Sequence, residues 1–144
     1  MHRLLYLLLL LSLLAGCRPS GAGSDETILG LACGMCDGNC FSGIRMRSGN
    51  MERFAAPRIG ALDRARLSTA SPEEAQRFNR LIKLLPPRLD RYPNRIGCPD
   101  CADQCTIYLS VPTASGNKTI ELDPNQHPPE FAPFVKAFME HPPL

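Results

Sequence analysis

Two cysteine triplets with the same spacing are the feature that most constrains how this chain can fold. CGMCDGNC occupies Cys33–Cys40 and CPDCADQC occupies Cys98–Cys105, so both follow the pattern C-x2-C-x3-C. The sequence holds seven cysteines, and the seventh is Cys17, near the amino terminus. Such triplets have three chemical uses: they bind a metal, form a redox pair, or form disulfide cross-links.

The amino terminus has the layout of a secretory signal. His2 and Arg3 precede the apolar run Leu4–Leu14, which is shorter than the ~20 residues of a membrane-spanning helix. The run ends in LAGC at Leu14–Cys17, which resembles the lipobox of bacterial lipoproteins, where the cysteine thiol is alkylated with a diacylglyceryl group. We therefore expect residues 1–16 to be a signal peptide and Cys17 to carry lipid.

A small polar stretch follows Cys17. Residues 18–27 read RPSGAGSDET, without hydrophobic periodicity, and this composition predicts a flexible tether. The mature chain then divides into a lipidated cysteine with its tether, residues 17–27, and one folded domain, residues 28–144. Arg18 stands where lipoproteins retained at the enterobacterial inner membrane carry aspartate, so the sequence favours the outer membrane.

If the protein is exported, disulfide bonds are the favoured use of the two cysteine triplets. Once Cys17 carries lipid, an even number of cysteines remains, as expected of a disulfide framework outside the cytoplasm. Bridges from one triplet to the other are favoured, because cysteines two or three residues apart seldom reach the Cα separation of a relaxed bridge outside tight turns. The pairing itself stays open. The predicted disulfide residues are Cys33, Cys36, Cys40, Cys98, Cys101 and Cys105.

Two alternatives use the C-x2-C pairs chemically. A thioredoxin-type redox motif needs a helix directly after it, whereas turn or strand sequence follows both pairs here. Zinc or copper would take thiolate ligands, which an oxidising compartment disfavours. We expect no metal and no cofactor, and keep a thiol–disulfide oxidoreductase or a metal-binding lipoprotein as the alternative. The metal ligands in that alternative are Cys33, Cys36, Cys98 and Cys101.

Behind each triplet the sequence predicts a hairpin and then a helix. Ser-Gly-Asn at Ser48–Asn50 and at Ser115–Asn117 supplies turn chemistry, and another strand is predicted within Ala61–Ser68. A capping box at Ser71–Glu74 begins the first helix, and Pro128–Glu130 begins the second. We predict an α+β domain whose antiparallel sheet of four to five strands carries two helices on one face. The order of hairpin and helix forms a ββα pseudo-repeat.

The segment IGCPDCADQ at Ile96–Gln104, followed by a strand pair and a short helix, resembles a group of small lipoproteins of Bacteroidetes-type bacteria. The resemblance covers Ile96 to Met139. It implies an envelope location and this architecture, and it transfers no catalytic residue. Relatives in that group often have glycine where Cys105 stands, which implies a special partner for Cys105, with Cys40 as the candidate.

Catalytic motifs are missing from the sequence. It has no G-x-S-x-G nucleophile elbow, no H-E-x-x-H zinc motif and no Gly-rich phosphate loop. We therefore expect a non-enzymatic, lipid-anchored protein of the cell envelope with a binding or structural role. Its partners would be the membrane, through the lipid, and an anionic envelope component; nucleic acid is not expected outside the cytoplasm. The predicted anionic contact is a strand face bearing Arg45, Arg47, Arg64 and Arg66.

Overall fold

The computed structural model describes residues 25–99, 101 and 104–142. Within these ranges one mixed sheet of seven strands packs with two α-helices. The strands are β1 (Glu26–Cys33), β2 (Phe41–Arg47), β3 (Asn50–Ala56), β4 (Arg66–Thr69), β5 (Arg95–Ile96), β6 (Cys105–Thr113) and β7 (Gly116–Leu122). The helices are α1 (Pro72–Lys83) and α2 (Ala132–Glu140).

The strand order is β4-β3-β2-β1-β6-β7-β5. All neighbouring strands are antiparallel except β5 and β7, which are parallel. The α+β class is confirmed, but the predicted count of four to five strands is wrong. The missed strands are β1 and the two-residue β5, and neither shows the alternation of polar and apolar residues on which strand prediction depends.

Strand β1 lies at the centre of the sheet and is buried on both faces. Leu29 and Leu31 pack in the core under the helices, whereas Ile28 and Ala32 pack in a second core on the opposite face. A strand covered on both sides is apolar throughout, as its sequence ETILGLAC shows. Strand β1 includes Glu26 and Thr27, the last two residues of the predicted tether, residues 17–27.

Both helices lie on the same face of the sheet, which we call the helix face. The capping box of α1 is formed, because Ser71 Oγ accepts the Glu74 backbone N–H at 3.2 Å and Glu74 Oε2 accepts the Ser71 N–H at 2.7 Å. The side chains that anchor the two helices in one core with β1, β6 and β7 are Phe78, Leu81, Phe131, Phe134, Val135 and Phe138. This part of the predicted architecture is confirmed.

The opposite face has a smaller core built on aromatic rings. The ring of Phe41 contacts those of Phe54 and Tyr108 edge-on, with centroids 4.8 and 5.2 Å apart. Gly30 and Gly43 are paired beneath these rings on β1 and β2. A Cβ atom at Gly43 would lie 2.2 Å from the Leu29 carbonyl oxygen and 2.9 Å from the Phe54 ring. Glycine is thus required at this position for the strands and rings to approach closely.

The two predicted hairpins are present, with a small change in the turns. In the β2–β3 hairpin the positive φ angles fall on Ser48 and Gly49, and Asn50 already belongs to β3. In the β6–β7 hairpin the positive φ angle falls on Gly116. The strand predicted within Ala61–Ser68 is shorter, because a 3-10 turn occupies Leu62–Arg64 before β4 begins. The hairpin and helix recur in both halves, but β1, β4 and the parallel β5 have no counterparts.

The sheet therefore has two different ends. The hairpin end holds both turns and the start of β1, where the Glu26 carbonyl oxygen accepts the Asn117 Nδ2–H at 3.1 Å. The cysteine end holds the carboxyl end of β1 and the starts of β2 and β6. Both cysteine triplets lie at the cysteine end.

Candidate functional site

Three disulfides lie at the cysteine end: Cys33–Cys105, Cys36–Cys40 and Cys98–Cys101. The expectation that bridges join the triplets is right for the first and wrong for the other two. The suggested pairing of Cys40 with Cys105 is also wrong. The two local bridges close tight turns, in which their Cα atoms are 5.5 and 5.4 Å apart. Gly38, with φ of 98°, allows the first of these turns to form.

The Cys33–Cys105 disulfide joins the two central strands of the sheet. The Cys33 N–H donates to the Cys40 carbonyl oxygen at 2.9 Å, on the β2 side, so Cys33 and Cys105 form a non-hydrogen-bonded pair across β1 and β6. Such pairs bring side chains closest, and the Cα atoms here are 4.1 Å apart. Both cysteines pack against the core under the helices. This disulfide is partly buried and borders the hydrophobic core.

The Cys98–Cys101 disulfide lies in an exposed loop that is held from below by one carboxylate. Asp123 is only 1% exposed, and its oxygens accept the backbone N–H groups of Cys98, Asn125 and Gln126 at 3.1, 2.7 and 3.2 Å. Gly97, with φ of 74°, lies against the same turn, where a Cβ atom would be 2.3 Å from the Gln126 carbonyl oxygen. The backbone at Gly97 and Cys98 is thus held in place, while Cys98 and Cys101 are both exposed to solvent.

The four cysteines of the metal alternative are distributed over all three disulfides. A sulfur in a disulfide is not a thiolate, and the thiolate is the form that binds zinc or copper. Among the residues that the structure describes, no group of three or more His, Cys, Asp or Glu side chains is arranged to hold a metal ion.

The four arginines of the predicted anionic contact do not share one face. Arg45 is engaged in ion pairs: its guanidinium lies 2.8 Å from Glu52 and 3.7 Å from Glu26, and its side chain is only 15% exposed. Arg47 lies on the same face as Arg45, at the hairpin end.

Arg64 and Arg66 lie elsewhere on the molecule. Arg64 is on the 3-10 turn, whereas Arg66 pairs with Ala55 across β3 and β4 and points to the helix face. The alternation of side chains along a strand gives the correct face only when the strand boundaries are predicted correctly. The 3-10 turn at Leu62–Arg64 moves the start of this strand to Arg66.

The structure instead brings Arg66 beside Arg53, a residue outside the predicted anionic contact. The two side chains line an open cleft of about 290 Å³ on the helix face, together with Ser42 and Ser68. The register explains the grouping, because Arg53 pairs with Ser68 and Ala55 pairs with both Ser42 and Arg66. Arg53 also forms an ion pair with Glu74 of α1, with Nε 3.3 Å from Oε1. The sequence places Arg53 on the first predicted hairpin. Only the pairing of β3 with β4 shows that Arg53 lies beside Arg66.

No protein-family model, curated protein or solved structure matches this chain. Within the described residues, no helix is both long enough and apolar enough to cross a bilayer. The predicted signal peptide, residues 1–16, and the predicted lipidation site Cys17 lie outside the described residues. Two features of the described chain thus carry its chemistry: an exposed C-x2-C disulfide and a basic cleft beside β4.

Proposed function

We propose that this protein is a lipid-anchored domain of the bacterial cell envelope with a non-enzymatic binding role, in which disulfides serve as scaffolding. The LAGC segment at Leu14–Cys17, after an apolar run of signal-peptide length, supports the lipid anchor. The resemblance of Ile96–Gln104 to Bacteroidetes-type lipoproteins supports the same location. Arg18 supports the outer membrane.

One observation carries the proposal: the chain enters the sheet at the hairpin end, opposite the disulfides. Residues 18–25 separate Cys17 from β1, and eight extended residues reach about 29 Å at most. Strand β1 itself has eight residues and so spans about 26 Å. An anchored domain would therefore hold its hairpin end near the bilayer and present its cysteine end and the adjoining basic cleft away from it.

The anchor is tested by metabolic labelling with an alkyne analogue of palmitate in a bacterial host, followed by membrane fractionation. Wild-type protein should take up the label and sediment with membranes, whereas Cys17→Ser should lose both properties. The matched control is Cys36→Ser combined with Cys40→Ser, which removes another cysteine pair and should retain the label. Label that persists in Cys17→Ser, or wild-type protein without label, would contradict the proposal.

The choice of membrane has its own test in an enterobacterial host. Arg18→Asp introduces the residue that retains lipoproteins at the inner membrane, so density-gradient separation should move the protein from the outer to the inner fraction. Arg18→Lys is the control and should stay in the outer fraction. Wild-type protein found in the inner fraction would contradict the outer-membrane assignment and leave the lipid anchor intact.

A second candidate function is supported by the accessibility of Cys98 and Cys101. Both are exposed, whereas Cys33 and Cys105 pack against the core. In thiol–disulfide exchange, an external dithiol protein would be oxidised to its disulfide while the Cys98–Cys101 bond is reduced to two thiols. The scaffold proposal expects Cys98→Ser with Cys101→Ser to leave a dithiol-oxidation assay unchanged. A catalysed rate that this double variant abolishes would favour the second candidate.

A further inference from the structure

Strand β4 forms one edge of the sheet, and in the described part of the chain no strand pairs with its outer side. All four of its residues, Arg66–Thr69, are exposed. The Ala70 N–H donates to the Met51 carbonyl oxygen at 3.1 Å. Because hydrogen-bonded and non-hydrogen-bonded pairs alternate along an antiparallel ladder, this bond determines which residues of β4 bond to β3. The backbone groups of Arg66 and Ser68 therefore form hydrogen bonds with β3. The backbone N–H and C=O groups of Leu67 and Thr69 then point to the open side.

The two sides of this edge offer different surfaces to an added strand. On the helix face, Arg66 and Ser68 line the basic cleft together with Arg53. On the opposite face, Leu67 is a large apolar side chain that is 46% exposed. Because side chains alternate along a strand, an added segment would direct every second residue to the cleft and the others to Leu67.

The charge of this region specifies the partner. The chain from Arg53 to Arg66 contains four arginines and one acidic residue, Asp63. Within the described part of the chain, Arg66 makes no ion pair, while its neighbour Arg53 is held in place by Glu74. A guanidinium at an exposed edge favours carboxylates, and the same charge opposes pairing with the β4 edge of a second copy.

We propose that the β4 edge binds an extended acidic segment of an envelope protein by strand addition. Backbone hydrogen bonds form to Leu67 and Thr69, carboxylates of the segment lie at Arg66 and the cleft, and its apolar side chains cover Leu67. This inference rests on the binding role proposed above, names its partner class, and is independent of the lipid anchor.

The experiment uses the full chain in detergent and a fluorescent peptide of sequence Thr-Glu-Val-Glu-Val-Thr, with binding followed by anisotropy. Two control peptides have the same length: one carries lysine in place of glutamate, and one is N-methylated at alternate amides to prevent strand pairing. The acidic peptide should bind saturably, and both controls should bind at least about tenfold more weakly. Equal binding of any control, or no binding of the acidic peptide, would overturn the proposal.

Variants locate the binding to β4. Arg66→Ala should lower the affinity for the acidic peptide by about tenfold, as expected for the loss of a charge-assisted contact. Leu67→Pro removes a backbone N–H that points away from β3, so it should abolish binding while preserving the ladder. Arg91→Ala removes an exposed arginine on the 3-10 turn Leu89–Arg91, away from β4, and should not change binding. Circular dichroism melts confirm that each variant is folded.

Two further outcomes would also refute binding at this edge. If Arg91→Ala weakens binding as much as Arg66→Ala, the peptide is attracted by the general positive charge and the proposal fails. If sedimentation shows a dimer that Leu67→Pro dissolves, the occupant of the edge is a second copy and the proposal fails. Peptide binding by Cys17→Ser protein that lacks lipid would leave the inference standing and refute only the anchor, whereas lipidated protein without peptide binding refutes only the inference.

Discussion

Cys33 and Cys105 lie directly opposite each other on β1 and β6, with their Cα atoms 4.1 Å apart and their sulfurs bonded. The two residues are 72 positions apart in sequence, so this single bond joins the two halves of the chain at the centre of the sheet. The other two disulfides span separations of 4 and 3 and close only local turns. The three bonds therefore differ in what they contribute to stability.

We expect removal of the central disulfide to cost much more stability than removal of a local one. In the chain-entropy model a loop of this length gives about 4 kcal/mol, and the loop between Cys36 and Cys40 gives about 2 kcal/mol. Urea unfolding of Cys33→Ala with Cys105→Ala should show the larger loss, and Cys36→Ala with Cys40→Ala is the matched control. Equal losses from the two pairs would show that the central bond does not stabilise the fold through chain closure.

Gly43 should be intolerant of even one added methyl group. Its Cβ atom would meet the Leu29 carbonyl oxygen, the Gly30 backbone and the Phe54 ring, so Gly43→Ala should lower the free energy of unfolding by about 2 kcal/mol or more. Gly34→Ala is the matched control, because a methyl group added there would have no other atom within 4 Å. Thermal melts of both variants measure the difference. A Gly43→Ala protein as stable as Gly34→Ala would refute the close approach of β1 and β2.

The parts of the fold that the sequence predicts are those fixed by local chemistry. Both hairpins follow from turn residues at Gly49 and Gly116, and α1 follows from the capping box at Ser71–Glu74. The helix positions follow from apolar stripes. Each of these signals is complete within a short window of sequence, so no knowledge of distant contacts is needed.

The parts that could not be predicted depend on pairing between distant residues. Strand β1 is hidden because both of its faces are buried, which removes the alternation that marks a half-exposed strand. The disulfide pairing depends on the register of β1 with β6, which places Cys33 opposite Cys105. The basic cleft depends on the register of β3 with β4. In each case the sequence contains the residues but does not show which distant residues they contact in the fold.

Asp123 should be essential to the conformation of the second cysteine loop. Its buried carboxylate accepts backbone N–H groups of Cys98, Asn125 and Gln126, and an amide in its place would turn a donor toward one of them. Asp123→Asn should therefore cost about 1.5–3 kcal/mol of stability and increase hydrogen exchange at the Cys98 amide. The exposed Asp90→Asn is the control and should change neither quantity. Unchanged exchange at Cys98 in Asp123→Asn would show that the loop is held by other contacts.

The first turn of α1 should make stability depend on acid pH through Glu73. Hydrogen bonds to its own backbone N–H and to Ser71 hold the pKa of this exposed carboxyl below its ordinary value of 4.5. A lowered folded-state pKa means that ionised Glu73 stabilises the fold, fully so above pH 4.5. That contribution is lost as the pH falls through the folded-state pKa. Glu73→Gln should thus melt at a lower temperature than wild type at pH 7, and the two melting temperatures should converge once the pH falls below the folded-state pKa.

A carboxylate at the carboxyl end of α2 provides a control, for which removal of the charge should not lower the melting temperature. Glu140 is the last residue of α2, where a negative charge opposes the helix dipole, so Glu140→Gln should leave the melting temperature at pH 7 unchanged or slightly raised. A destabilisation by Glu73→Gln that persists unchanged at low pH would mean that the side chain acts through packing and not through its charge. The pair of variants thereby separates the electrostatic role of the α1 amino terminus from a general effect of removing a carboxylate.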